Sequence, residues 1–172
     1  MSRKLSLRLT EARSLLPSDL NGYSDPYAII YYVGKKEKKI GKTEWKARTL
    51  NPYWNYNINK IINVEPGDSI IIKIFDHDAS SDDCLGAAKI QLDSFFDGLW
   101  SSKWYPLFDK DLKNPVRGAV LVGLHIVDPE ADSFREEHRR PDDVEVIPHR
   151  YESIRIAGGQ QMIIPKPVPV QT

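Results

Sequence analysis

Apolar and polar residues in this chain alternate in short runs, with little of the three-to-four spacing of an amphipathic helix. Leu5, Leu7 and Leu9 alternate with polar neighbours, the period of a half-buried strand. Further β-rich runs cover residues 28–33, 42–47, 53–62, 69–75, 85–92, 103–108 and 119–127. Turn-forming stretches such as "VGKK", "EPGD", "DHDASSDD" and "DKDLKNPVRG" separate them, being rich in the residues that tolerate turn geometry. Eight strands without helical segments between most of them predict an all-β fold, an eight-stranded antiparallel β-sandwich. Its Tyr, Trp, Phe and Ile side chains are then core residues. A short helical turn is expected around residues 92–100.

Beyond residue 128 the pattern changes. Residues 130–140 have the composition of a short helix, with Glu136 and Arg140 at i, i+4 spacing. Residues 144–156 suggest a weak strand. Pro165, Pro167 and Pro169 alternate at the end, favouring an extended polyproline conformation without a PxxP spacing. The organisation expected is a domain over 1–128 and an extension over 129–172 that ends in a flexible tail.

No run of about 18 apolar residues is present, and the start "MSRKLSLRL" lacks the continuous apolar core of a signal peptide. A cytoplasmic protein is expected. The single cysteine, Cys84, has no internal disulfide partner. With four scattered histidines it gives no zinc spacing, and it reads as a buried strand residue. The formal net charge is zero, yet residues 1–127 carry 18 basic against 15 acidic residues and residues 128–172 carry 6 against 9. Six of the acids in the first part lie in two loops, which leaves +9 on the remainder. That imbalance suggests an anionic partner.

The two loops carry the chemistry. "LPSDLNGYSDPY" brings Asp19 and Asp25, and "FDHDASSDDCLG" brings Asp76, Asp78, Asp82 and Asp83, with no Lys or Arg inside either. Asp76 and Asp78 leave a strand end with the same side-chain direction, by the two-residue period. Converging carboxylates raise one another's pKa and oppose folding unless a cation removes the conflict. Calcium accepts six to eight oxygen ligands in irregular geometry, whereas magnesium needs a tighter octahedron and transition metals prefer His or Cys. An EF-hand is excluded by position. Counting from Asp76, the sixth place is Ser81 and the twelfth Ala87, where Gly and a bidentate Glu are required.

With "TLNPYWN" between them, these loops resemble, in order and spacing, the three top loops of the C2 domain family of calcium-dependent phospholipid binders. The resemblance covers about residues 4–127, as a small single-domain member. The first strand leads directly into the first acidic loop, which resembles the permuted type II strand order. The resemblance implies one to three Ca2+ ions. Asp19 and Asp25 are the implied first-loop ligands, Asp76, Asp78 and Asp83 those of the third loop, and the carbonyls of Ser18 and His77 assist. Asp83 is taken over Asp82 because it stands three residues before Gly86. A hydroxyl from Ser80 or Ser81 is implied for an outer ion, in a loop one residue shorter than in many members.

The segment "GKKEKKIGKTEWK" adds Lys36, Lys38, Lys39, Lys42 and Lys46. With a bulge at Gly41, Thr43 and Trp45 face the core while Lys42, Glu44 and Lys46 point outward. An edge strand protected by lysines has the same pattern. By resemblance, a lysine-rich strand here is a patch for phosphoinositide headgroups. Leu20 and Tyr23 are expected as shallow membrane wedges. The implied function is calcium-dependent binding to anionic phospholipid, phosphatidylserine above all, by a targeting or adaptor module that is peripheral on membranes when calcium rises. The extension is a candidate for a protein partner, and no nucleic acid is expected. No catalysis is expected either. The rival readings are a calcium-independent protein scaffold and an aspartate-nucleophile phosphatase using Asp76 and Asp78, which needs an α/β sheet with crossover helices.

Overall fold

The computed structural model describes residues 2–18, 22–78, 82–129, 150–155 and 161–166. Eight strands follow in order: β1 (Ser2–Arg13), β2 (Pro26–Val33), β3 (Glu37–Lys42), β4 (Tyr53–Asn63), β5 (Ser69–Asp76), β6 (Asp83–Gln91), β7 (Ser101–Phe108) and β8 (Pro115–Val127). A 3-10 turn, Asp93–Phe95, fills the place of the expected helical turn. The strands are hydrogen-bonded in the order β3-β2-β5-β6-β7-β8-β1-β4, and all these pairs are antiparallel. Between β6 and β7 the link is one pair, Ala87 with Phe108. The sheet therefore folds over there into two four-stranded layers, β3-β2-β5-β6 and β7-β8-β1-β4. This is the β-sandwich expected, and an α/β phosphatase architecture is excluded.

The core follows from strand alternation. Leu5, Leu7 and Leu9 of β1, Ile70, Ile72 and Ile74 of β5, and Val122, Leu124 and Ile126 of β8 are all buried in one cluster between the layers. Each such side chain contributes about 1.5–3 kcal/mol on burial. β1 runs straight into the first acidic loop, and β8 pairs beside β1 as the last strand, the type II order.

The third strand differs from its expected position over 42–47. It is Glu37–Lys42, with a bulge that leaves Ile40 without a partner between the pairs Ile30–Gly41 and Tyr31–Lys39. Gly41 lies close under β4 there, since a Cβ would sit 2.6 Å from Ile58 Cδ1 and 2.9 Å from the Tyr56 ring, so a side chain would force these to shift. Beyond Lys42 the ladder ends because a side chain replaces a backbone acceptor: the Ala28 N–H donates to Thr43 Oγ1 at 2.9 Å. Thr43 is buried as expected, but Trp45 is 49% exposed and does not face the core.

In the extension, Arg150–Arg155 (β9) and Gln161–Lys166 (β10) form an antiparallel hairpin. Part of the expected weak strand is thus observed, and Pro165 belongs to β10, paired with Tyr151. The expected helix over 130–140, and Pro167 and Pro169, lie outside the described residues.

Candidate calcium and membrane site

The described parts of three loops meet at one end of the sandwich: residues 14–18 and 22–25, residues 43–52, and residues 77, 78 and 82. The β-ladders deliver them there, and backbone bonds tie them together. The Thr49 N–H donates to the Ser24 carbonyl at 2.8 Å, Leu15 N–H to the Leu50 carbonyl at 3.0 Å, and His77 N–H to the Asp25 carbonyl at 2.9 Å. Ser24 Oγ, fully buried, accepts from the Ser18 N–H at 2.9 Å and donates to the Leu16 carbonyl at 3.0 Å. The serine of "YSDPY" therefore folds the first loop back on itself.

Four of the five expected carboxylates lie in the described residues. Asp76 closes β5, is 2% exposed, and its Oδ1 accepts the Asp25 N–H at 2.6 Å. Asp25 Oδ1 in turn accepts the Arg48 N–H at 2.7 Å. Across the ladder Asp76 stands directly opposite Asp83, so two carboxylates leave the sheet on the same face, an arrangement that costs stability without a counter-charge. Asp78 is exposed, and its N–H donates to Asp82 Oδ1 at 3.2 Å. Asp82 is already engaged on its other oxygen by the Tyr27 hydroxyl. Burial, with this contact second, pushes the Tyr27 phenol up to about 12. The same hydrogen bond holds the Asp82 carboxyl below its ordinary range. Both Asp82 oxygens are thus occupied as acceptors within the protein.

Asp19, Leu20, Ser80 and Ser81 lie outside the described residues. Among the described residues no three His, Cys, Asp or Glu side chains form a ready metal cage. The donor set nevertheless fits a hard cation in kind. It is made of carboxylate oxygens, Asp76 is buried without an ion-pair partner among the described residues, and Asp83 faces it across the ladder.

The rim holds ring contacts the sequence reading missed. Trp45 stacks on His77, with ring centroids 4.9 Å apart and an interplanar angle of 18°. His77 meets the Tyr27 ring edge-on at 6.3 Å, and Lys42 Nζ lies 5.0 Å from the Tyr27 centroid. Together with Thr43 and Glu44 these groups line a cavity of 440 Å³. Arg48 contributes through its backbone, at φ 50°. His77 and Lys42 were expected as a carbonyl ligand and a headgroup lysine, not as partners of these rings, and the strand expected at position 45 turned its aromatic side chain the wrong way.

The lysines divide. On β3, Lys39 and Lys42 stand opposite Tyr31 and Ile29, on the outer face of the layer. Lys73 and Lys89, on β5 and β6, share that face, and Lys73 Nζ lies 5.5 Å from the Tyr31 centroid. Lys36 and Lys38 instead line a cleft of 1160 Å³ with Ile61 and Asp68 near the β2–β3 and β4–β5 turns, remote from the acidic end. Lys46 lies on no strand, since it belongs to the second loop, and its N–H donates to the Pro26 carbonyl at 3.0 Å. The exposed Tyr23 is in the first loop. Cys84 is half-buried on β6, and burial pushes its thiol up, against a nucleophilic role.

The C2 domain family model matches residues 3–107. The chain belongs to the C2 domain family. Tricalbin-1 of Saccharomyces cerevisiae is 42% identical over 92 residues, which is 53% of this C2 protein and 8% of the relative. Extended synaptotagmin-3 of Xenopus tropicalis is 32% identical over 115 residues, 61% of this chain and 12% of the relative. The chain therefore spans a small part of the length of both. Among solved structures, the calcium-bound tandem C2 domains of extended synaptotagmin 2 superpose with a TM-score of 0.61 at 23% identity, covering 83% of this chain and 54% of that one. This last likeness concerns the C2 fold. Family members are binding modules, and among the described residues no helix is long and apolar enough to cross a membrane.

Proposed function

We propose that this C2 domain binds anionic phospholipid surfaces in a calcium-dependent manner, acting as a membrane-targeting or adaptor module without catalysis of its own. The observation that carries the reading is the buried Asp76 facing Asp83 across the β5–β6 ladder, with Asp25 hydrogen-bonded beside it. Asp19, Asp25, Asp76, Asp78 and Asp83, with the carbonyls of Ser18 and His77, would hold one to three ions. Bound calcium supplies positive charge and open coordination positions for phosphate or carboxylate oxygens of lipids such as phosphatidylserine.

The rest belongs to the chain's own residues. The Asp25 and Arg48 N–H groups fix two carboxylates in position before any ion arrives, which reduces the reorganisation that binding costs. Lys39, Lys42, Lys73 and Lys89 present a basic face to an anionic leaflet, phosphoinositide headgroups included. Each is worth about 1 kcal/mol near the surface. Trp45 and Tyr23 suit the interface, where aromatic side chains favour headgroup depth.

Isothermal titration with calcium tests the ion site. The native chain binds calcium with a measurable heat, and Asp76→Asn, which keeps an oxygen acceptor for the Asp25 N–H, loses that binding. Equal titration of both chains would refute the assignment. Calcium-independent binding of a protein is the rival reading, and no described contact favours it.

A further inference from the structure

β8 is buried on both faces. Its inner positions, Val120, Val122, Leu124 and Ile126, belong to the core cluster, together with Leu5, Leu7 and Leu9 of β1. Its alternate positions face outward from the sandwich, yet Ala119 is 0% exposed, Leu121 5%, His125 4% and Val127 2%. Beside them, on the same outer face, Ser6 and Glu11 of β1 are buried. The outer face of an antiparallel layer is ordinarily solvated and polar. Here something covers it.

Part of the cover is local. A Cβ at Gly123 would meet Trp100 Cζ2 at 2.3 Å, so the indole lies directly on this strand, and His125 Nε2–H donates to the Gly98 carbonyl at 2.8 Å. That accounts for the stretch around 123–125. Glu11 has a local partner in Arg13, at 2.8 Å. That leaves Ala119 and Leu121, and Trp104 of β7, which stands opposite Leu121 and whose indole N–H is buried as well. Among the described elements, the one that reaches this strand is the C-terminal hairpin: β10 lies at contact distance from β8. Its segment Gln161–Lys166 reads QMIIPK, four of its six residues apolar. A two-stranded hairpin is at best marginal in water by itself, so it gains order by lying on an apolar surface.

We infer that the β9–β10 hairpin is a strap docked in cis on the outer face of the β7-β8-β1-β4 layer, so that the extension completes the domain rather than trailing from it. The lysine face belongs to the other layer, and the strap leaves it clear. Lipid binding and strap docking are therefore compatible, whereas a protein partner that recruits residues 161–166 must first lift them from β8.

Paramagnetic relaxation in the full chain tests this. A nitroxide is attached at position 163 in a Cys84→Ser, Ile163→Cys chain, and a second sample carries it through Cys84→Ser, Lys166→Cys in case the first label loosens the hairpin. Docking predicts loss of amide signal intensity along residues 119–127 of β8, with β2 and β5 in the other layer retaining theirs. Undiminished β8 signals with both labels would overturn the inference, as would a uniform loss over both layers.

Discussion

Asp76 carries opposed demands: its carboxylate is buried, faces another acid, and still holds the first loop through the Asp25 N–H. Removing only the charge separates these. Asp76→Asn is predicted to melt no lower than the native chain in chelator, because the acceptor persists and the repulsion is gone, while its calcium-induced rise in Tm disappears. At saturating ion the native rise corresponds to about 2.7 kcal/mol at one hundred times Kd, readable by calorimetry. At the opposite end of the sandwich, the Tyr32 hydroxyl donates a hydrogen bond to Asp68, and burial, followed by that contact, pushes its phenol above the ordinary range. A raised folded pKa means that the unfolded chain loses the proton first. Stability from Tyr32 is therefore complete below an unfolded phenol pKa of about 10 and is lost as pH rises through the folded value. Tyr32→Phe is predicted to cost about 1–2 kcal/mol near neutrality and to flatten the alkaline fall in Tm; an unchanged profile would contradict the assignment. At this scale the acids were legible, because six of them crowd two loops free of Lys and Arg. The Trp45–His77 stack was not, since it joins loops 32 residues apart and no local pattern announces it.

Among the elements, β3 shows where pattern reading stops. A bulge was expected at Gly41 and falls beside it, at Ile40, but the strand was placed after it, because "KTEWKA" alternates as a strand does. The structure puts the strand before it, since Thr43 takes over the Ala28 N–H and ends the ladder. The consequence is a different basic surface, in which Lys39 and Lys42 act with Lys73 and Lys89 from β5 and β6. Neither of the latter stood out as a lone lysine in its own strand. Lys39→Ala with Lys42→Ala is predicted to weaken binding to anionic vesicles roughly 30-fold at low salt, from about 1 kcal/mol per lysine. The loss shrinks as salt rises. Lys36→Ala with Lys38→Ala, at the far cleft, is predicted to change binding much less. Equal losses from both pairs would contradict this division of the lysines.

For the whole molecule, strand count, antiparallel pairing and the two-layer core followed from alternation, because the layers bury one face of nearly every strand. β8 departs from that rule by burying both faces, and its sequence, AVLVGLHIV, is almost unbroken apolar. The run marked a strand but could not say what covered its second side. In the proposed function the acidic end and the basic layer face anionic lipid, and the opposite layer is closed by the protein's own extension. Co-sedimentation with phosphatidylserine and with phosphatidylcholine vesicles, each in calcium and in chelator, tests this most directly. The account predicts pelleting with phosphatidylserine vesicles in calcium alone, whereas equal pelleting in calcium and chelator, or none in either, would contradict it.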